Sequence, residues 1–184
     1  MTALDLCERA DLDEEARKLA TEDIPVRTYI EQLARRERVR ESIGALTQLL
    51  PNVDSIAWGL HSIRSVSVAL SSPKTETALK SVEEWIADAN DERRRAAMQA
   101  AEQAGIGTPA GCLAFAVFLS GGSLAPREAP GVPAPPPHVC GRIVAGAMSL
   151  AVALDPRNAS ELLRAFLAHG FHLAGQLKIW EERG

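Results

Sequence analysis

The chain has 184 residues, of which 46% are hydrophobic, and it carries a formal net charge of -4 at pH 7. This length is enough for one domain with its own core and short for two. The acidic balance argues against a protein that binds nucleic acid through its overall charge, because neutralising phosphates requires a basic face.

The first residues and the cysteines indicate where the protein works. Residues 1–15 are acidic where a secretory signal has a basic segment followed by an apolar one. The longest apolar runs, at 112–119 and 143–154, are shorter than the roughly 20 residues that cross a bilayer. Three cysteines without CxxC spacing support neither a zinc site nor a set of disulfides. We therefore expect a cytoplasmic protein that does not insert into membranes.

Apolar residues recur at intervals of three and four along most of the chain, which is the period of an α-helix. Three pairs, Ser72-Pro73, Thr108-Pro109 and Asp155-Pro156, place a capping side chain directly before a proline, and each predicts a helix start. The predicted helices span residues 12–21, 25–36, 38–50, 52–70, 74–88, 91–104, 109–120, 138–154 and 156–181. Short connections between them predict antiparallel hairpins, so we expect an all-α single domain over residues 1–184, built as a bundle or a stack.

The predicted helix at 91–104 opens with a charge-rich segment, DERRR at 91–95. Carboxylates are favourable in the first turn of a helix, so we interpret this segment as a solvated helix start. Small residues on this and later helices offer low relief, which predicts close helix packing in the core. They are Ala96, Ala97, Ala100, Ala101, Ala104, Gly111, Ala114, Gly141, Ala145 and Gly146.

Glycine and proline are concentrated between residues 105 and 146, which hold eight of the thirteen glycines and seven of the eleven prolines. Within this window, residues 121–137 (GGSLAPREAPGVPAPPP) form the one long connection, which its prolines keep extended. Its apolar side chains suit it to lie against the helices, so we expect an ordered crossover. A segment that docks into an aromatic groove of a partner is the alternative.

Few residues carry candidate chemistry. The GGS at 121–123 lacks the strand and the final glycine of a nucleophile elbow, and no GK[ST] follows it as a phosphate loop requires. His169 and His172 lie three residues apart but no further ligand is spaced for a metal, so we interpret one as a boundary and one as an exposed histidine. Cys140 stands near a helix start, which could lower the pKa of its thiol, but it lacks an evident general base. We therefore predict no catalytic residue, no cofactor and no metal.

Several short elements occur in a specific order in the C-terminal half, after a helix that carries Trp85 near its end. They are RRAAMQAAEQAG at 94–105, TPAG at 108–111, SGGSLAP at 120–126, PAPPP at 133–137 and RIVAGA at 142–147. In this order the chain resembles an uncharacterised family of bacterial all-helical proteins, whereas its N-terminal half matches only in general helical character. The resemblance implies an accessory protein of bacterial contractile-injection or type VI secretion loci, and it carries over no catalytic residue.

These observations favour a non-enzymatic adaptor or chaperone that binds another protein, and the resemblance implies a secretion-system component or effector as that partner. We expect the binding surface at the crossover and the adjoining helix ends. Its predicted residues are Gly121, Gly122, Ser123, Leu124, Pro126, His138 and Arg142.

Arg142 has two candidate roles, because its guanidinium could anchor the crossover through unpaired carbonyls or could be purely structural. Two alternative functions stay open. One is an enzyme of unknown type with a pocket near Ser123, His138 and Cys140. The other is a structural subunit that forms homodimers through its amphipathic N-terminal helices.

Overall fold

Ten α-helices joined mostly by short turns make up the computed structural model, which describes residues 1–66, 72–125 and 133–181. Those ranges contain no β-strand, which confirms the predicted all-α single domain. The helices are α1 (Ala3–Ala10), α2 (Glu14–Leu19), α3 (Val26–Arg35), α4 (Val39–Thr47), α5 (Asn52–Arg64), α6 (Pro73–Ala87), α7 (Asp91–Ala104), α8 (Pro109–Phe118), α9 (Pro137–Ala153) and α10 (Ala159–Gln176).

Seven predicted helices agree with α2 to α4 and α6 to α9 within three residues at either end. The helix predicted at 52–70 begins as expected, but α5 ends at Arg64, and residues 67–71 lie outside the described residues. The middle of the predicted crossover, residues 126–132, also lies outside the described residues, and it includes Pro126.

Two of the three predicted cap-proline pairs open helices. The Ser72 Oγ accepts a hydrogen bond from the Thr75 N–H at 3.1 Å, and the Thr108 Oγ1 accepts one from the Gly111 N–H at 3.1 Å. The third prediction is wrong, because α10 begins only at Ala159. The Asp155 carboxylate accepts a hydrogen bond from the Asn158 side chain at 2.8 Å, so residues 155–158 form a turn instead of a helix start.

The helix predicted at 12–21 corresponds to α2, but the sequence analysis missed α1, which precedes it. Thr2 and Asp5 form a capping box that starts α1, in which each side chain accepts a hydrogen bond from the other residue's backbone N–H. Asp11 ends α1 in the left-handed conformation, with a φ of 55°. The Asp13 carboxylate then caps α2.

Helix α8 lies at the centre of the packing, against α6, α7 and α9. A Cβ added to Gly111 would stand 2.1 Å from the Gly105 carbonyl oxygen, so α8 approaches the end of α7 as closely as glycine permits. One added to Gly141 would stand 2.9 Å from the Thr47 carbonyl oxygen, where α9 crosses α4. The predicted close packing is therefore confirmed at these positions, but Ala96 is exposed and Gly146 has open space beside it.

Trp58 of α5 fixes the position of α10. Its indole Nε1 donates a hydrogen bond to the Phe166 carbonyl oxygen at 3.0 Å. Its ring lies so close to Gly170 that a Cβ added there would stand 2.4 Å from the nearest ring atom. Throughout residues 1–66, 72–125 and 133–181, each helix is too short or too polar to cross a lipid bilayer.

Candidate functional site

The loop at residues 120–125 leaves the end of α8, and side chains from two other helices hold its backbone. A loop cannot pair its own carbonyl groups as a helix does, so each needs another partner. The Asn52 side chain of α5 donates to the Ser120 carbonyl oxygen at 2.7 Å. From α7, Arg94 donates to the Ser123 carbonyl oxygen at 2.9 Å and Arg95 to that of Ala125 at 2.8 Å. The loop is thereby fixed at its start and at its far end.

Arg94 is the central residue of this arrangement, and it is only 4% exposed. Its Nη1 donates to the Phe118 carbonyl oxygen at 2.6 Å, at the end of α8, and its guanidinium carbon lies 4.9 Å from the centre of the Phe118 ring. Its Nη2 donates to the Asp91 carboxylate at 2.7 Å. A buried guanidinium requires such charged and polar partners, so its position dictates where the loop carbonyls lie.

Asp91 links the two arginines. One carboxylate oxygen accepts from Arg94, and the other accepts from the Arg95 Nε at 2.8 Å. Hydrogen bonds from Arg95 and then from Arg94 lower the pKa of Asp91 to about 2. The carboxylate is therefore charged at neutral pH and keeps both arginines oriented towards the loop.

The charge-rich segment at 91–95 was predicted to be a solvated helix start, and for Arg94 this is wrong. The position of Arg94 on α7 explains why. It precedes the buried Ala97 by three residues and the buried Ala101 by seven, so it belongs to the face that packs into the core. Extending the spacing of the alanine face backwards would have identified Arg94 as a buried residue.

Gly122 is a glycine that this loop requires. Its φ is +67°, in the left-handed region, and an added Cβ would stand 3.1 Å from the Arg94 Nε. Gly121 differs, because nothing lies within 4 Å of the corresponding position.

Beyond the glycines, the Ser123 Oγ accepts a hydrogen bond from the Ala125 N–H at 3.1 Å, which closes a tight turn. Leu124, between these two residues, points outwards and is 37% exposed. The loop therefore displays one leucine on a backbone that is held at both ends.

His138 and Arg142 both lie on α9. Half-buried His138 belongs to the first turn of α9, which runs beside the last turns of α8, where the Cys140 thiol donates to the Ala116 carbonyl oxygen at 3.5 Å. Arg142 does not anchor the crossover at any described residue. Its guanidinium instead donates to the carbonyl oxygens of Arg9 at 2.5 Å and Glu8 at 2.6 Å, at the end of α1.

The thiol of Cys140 does not have the lowered pKa that its place near a helix start suggested. Burial raises the pKa of Cys140 to about 12, and burial likewise raises the pKa of Cys112 to about 11. Both thiols are therefore protonated at neutral pH, which is the wrong state for a nucleophile.

His169 is half-buried and His172 exposed, as predicted for one boundary and one exposed histidine. The sequence did not indicate that His61 of α5 would stack on His169, with ring centroids 4.2 Å apart and planes 17° from parallel. Burial first, and then the charges of His61 and His172, lower the pKa of His169. Among the described residues, no three histidine, cysteine or acidic side chains are grouped to hold a metal ion.

Residues 29–174 match the model of a family described as a family of unknown function (DUF6931). The match includes α4 to α9, the loop at 120–125 and both arginines that hold it, whereas α1 and α2 precede it. Comparison with curated proteins and with solved structures returns no match.

Proposed function

We propose that this chain, which belongs to the DUF6931 family of unknown function, is a non-enzymatic adaptor or chaperone that captures another protein with the loop at 120–125. The single observation that carries the proposal is the way in which Arg94, Arg95 and Asn52 fix the loop backbone while Leu124 remains exposed. A loop that is already ordered loses little conformational entropy when a partner binds. An exposed leucine on such a loop suits a shallow apolar pocket of a partner.

We propose that Gly121, Gly122, Ser123, Leu124 and also His138 of α9 contribute to this surface. Arg142, one of the residues that the sequence suggested, is omitted because its guanidinium is engaged by α1. Pro126 follows the loop directly but lies outside the described residues.

The proposed partner is a component or effector of a bacterial contractile-injection or type VI secretion system, as the resemblance of the C-terminal half implies. We propose the reducing cytoplasm as the compartment, in keeping with three buried free thiols. The protonated, buried Cys140 and the engagement of Ser123 in a turn favour a binding role over catalysis by these residues.

Two exposed leucines allow a matched test of the loop. Leu124 is 37% exposed on the loop, and Leu154 is 45% exposed at the end of α9. Immobilised wild-type protein and the variants Leu124→Asp and Leu154→Asp are incubated with lysate of the native host, and the bound proteins are identified by mass spectrometry. We expect one partner to be retained by the wild type and by L154D and lost by L124D, with circular dichroism showing that both variants are folded. A partner that L124D retains, or that both variants lose, would show that the loop is not the docking surface.

A further inference from the structure

Helix α1 packs mainly into the groove between α4 and α9, and it also contacts α2 and α3. Its three buried side chains, Ala3, Leu6 and Cys7, are spaced at i, i+3 and i+4 and form one apolar face. Only the opposite face of α1 is exposed to solvent. The arrangement is that of a short amphipathic helix seated in a groove.

Arg142 holds the end of this helix from the wall of the groove. Its guanidinium donates to the carbonyl oxygens of Glu8 and Arg9 in the last turn of α1, and it lies 3.8 Å from the Asp11 carboxylate. A cationic side chain at this place recognises the carboxyl end of a helix, with little dependence on its sequence.

The remaining contacts of α1 include α2 and α3. The Cys7 thiol contacts the Tyr29 hydroxyl oxygen at 2.8 Å, and Leu12 lies over Gly44 of α4. An eight-residue helix is shorter than the roughly 12 to 15 residues at which isolated helices become stable. Its helical state therefore depends on the groove.

The family match separates the groove from the helix that fills it. Residues 29–174 include α4, α9 and Arg142, whereas α1 lies before them. The residues that form the groove thus lie within the matched range, and the helix in it lies outside that range.

We propose that the groove between α4 and α9 is a helix-docking site, which α1 occupies within the chain and which an amphipathic helix of a partner protein occupies when α1 is displaced. The partner helix carries small or aliphatic residues at i, i+3 and i+4, and the carbonyl oxygens of its last turn accept hydrogen bonds from Arg142. This inference rests on the protein-binding function proposed above but does not depend on the loop at 120–125.

The three cysteines report whether α1 leaves the groove by itself. Cys7 lies on α1, whereas Cys112 and Cys140 lie in the contact between α8 and α9, and all three are buried. The wild-type chain is exposed to a thiol reagent under native conditions, and modification of each cysteine is followed by mass spectrometry. We expect Cys7 to react at least about tenfold faster than Cys140, because local opening needs less free energy than global unfolding. Equal rates would show that α1 opens only when the whole domain unfolds and would overturn the proposal.

A second experiment tests docking directly. In the 184-residue chain with Leu6→Asp, a charge replaces a fully buried side chain and is expected to expel α1 from the groove. A fluorescently labelled peptide of residues 1–12 is titrated into this variant and into the wild type, and binding is followed by anisotropy. We expect the peptide to bind the L6D chain at least about tenfold more tightly than the wild type, since the variant's own α1 no longer competes.

Two further changes test the specificity of this binding. Adding Arg142→Ala to the L6D chain is expected to weaken binding of the peptide at least about tenfold, because its hydrogen bonds to a charged group are lost. A peptide that itself carries Leu6→Asp is expected not to bind. Absence of binding to an L6D chain in which Cys140 stays protected would overturn the proposal. If L6D exposed Cys140, the milder variant Leu6→Ala would be titrated instead, with the same outcomes decisive.

The loop and the groove can fail independently. Adding Leu124→Asp to the L6D chain is expected to leave peptide binding unchanged. If the peptide bound as expected while L124D retained its partner in the lysate experiment, the loop would be excluded and the groove supported. If instead L124D lost its partner and the peptide did not bind, the groove would be excluded and the loop supported.

Discussion

Single residues determine the shape of the loop at 120–125, and Arg94 has the largest part in it. A guanidinium that is 4% exposed can remain charged only with polar partners around it. Here those partners are Asp91, the Phe118 carbonyl at the end of α8 and the Ser123 carbonyl of the loop. The periodicity of α7 could have placed Arg94 on the buried face. The sequence could not show which carbonyls it would meet, because those lie 24 and 29 residues further along the chain.

The two glycines of the loop give a matched prediction at this scale. Gly122→Ala forces a side chain into a left-handed conformation and against Arg94, so we expect the free energy of unfolding to fall by about 1 to 2 kcal/mol. Gly121→Ala meets open space, and we expect a change within about 0.5 kcal/mol. Urea denaturation followed by circular dichroism measures both. An equal cost at the two positions would contradict the assignment of the left-handed residue to Gly122.

At the scale of the helices, the way in which α10 packs against α5 depends on one glycine. Trp58 occupies the space beside Gly170, and Leu46 of α4 lies 2.8 Å from the position that a Cβ would take. The same helix carries Gly175, where nothing lies within 4 Å. One helix therefore contains both a glycine that its neighbours require and one that they do not.

We expect Gly170→Ala to reduce the free energy of unfolding by about 1 to 3 kcal/mol, because the new methyl group must push Trp58 or Leu46 aside. Gly175→Ala is expected to raise it by about 0.5 kcal/mol, since alanine favours the helix more than glycine does. Urea titration followed by tryptophan fluorescence tests both. A neutral Gly170→Ala would mean that α10 can shift away from α5 without cost.

The stacked histidines make this same contact sensitive to pH. In the folded chain the pKa of His169 is lowered by burial and by the charges of His61 and His172, so the unfolded chain binds the proton more tightly. The contribution of His169 to stability is complete above its unfolded pKa of about 6.5 and is lost progressively as the pH falls below that value. Relative to the variant His169→Phe, the wild type is therefore expected to lose stability between about pH 7 and pH 5.

Urea titrations of both proteins across that range test this prediction. His61→Phe serves as a second comparison, because it removes one cause of the lowered pKa and should diminish the pH dependence. Parallel curves for the wild type and H169F would show that the imidazole has the same proton affinity in the folded and unfolded chains.

Helix type and most helix bounds were predictable from the sequence, because periodicity and capping are local properties. The pairs Ser72-Pro73 and Thr108-Pro109 started helices as expected, and Thr2 with Asp5 would have indicated α1 had the box been recognised. Asp155-Pro156 failed because Asn158 competes for the aspartate side chain. Contacts between distant helices, such as His61 with His169 or Arg142 with the end of α1, have no local signal in one sequence.

For the molecule as a whole, α8 is the element on which the packing depends. It is buried on most sides, and it contacts α6, α7 and α9 together. The small residues of α8 were predicted to let neighbouring helices approach closely, and the closest approach is at Gly111. There the backbone of α8 passes the last carbonyls of α7 at a distance that leaves no room for a methyl group.

Gly111→Ala is accordingly the substitution that we expect to destabilise the whole domain most. The added Cβ would stand 2.1 Å from the Gly105 carbonyl oxygen and 3.1 Å from that of Ala101, and both obstacles are backbone atoms that no rotamer change can move. Helix α7 would have to separate from α8, so we expect a loss of at least about 3 kcal/mol in the free energy of unfolding. Gly107→Ala in the preceding turn meets nothing within 4 Å and is expected to change it by less than about 0.5 kcal/mol. Thermal and urea unfolding of the two variants measure the difference, and a G111A chain as stable as G107A would show that α7 and α8 can separate without loss of packing.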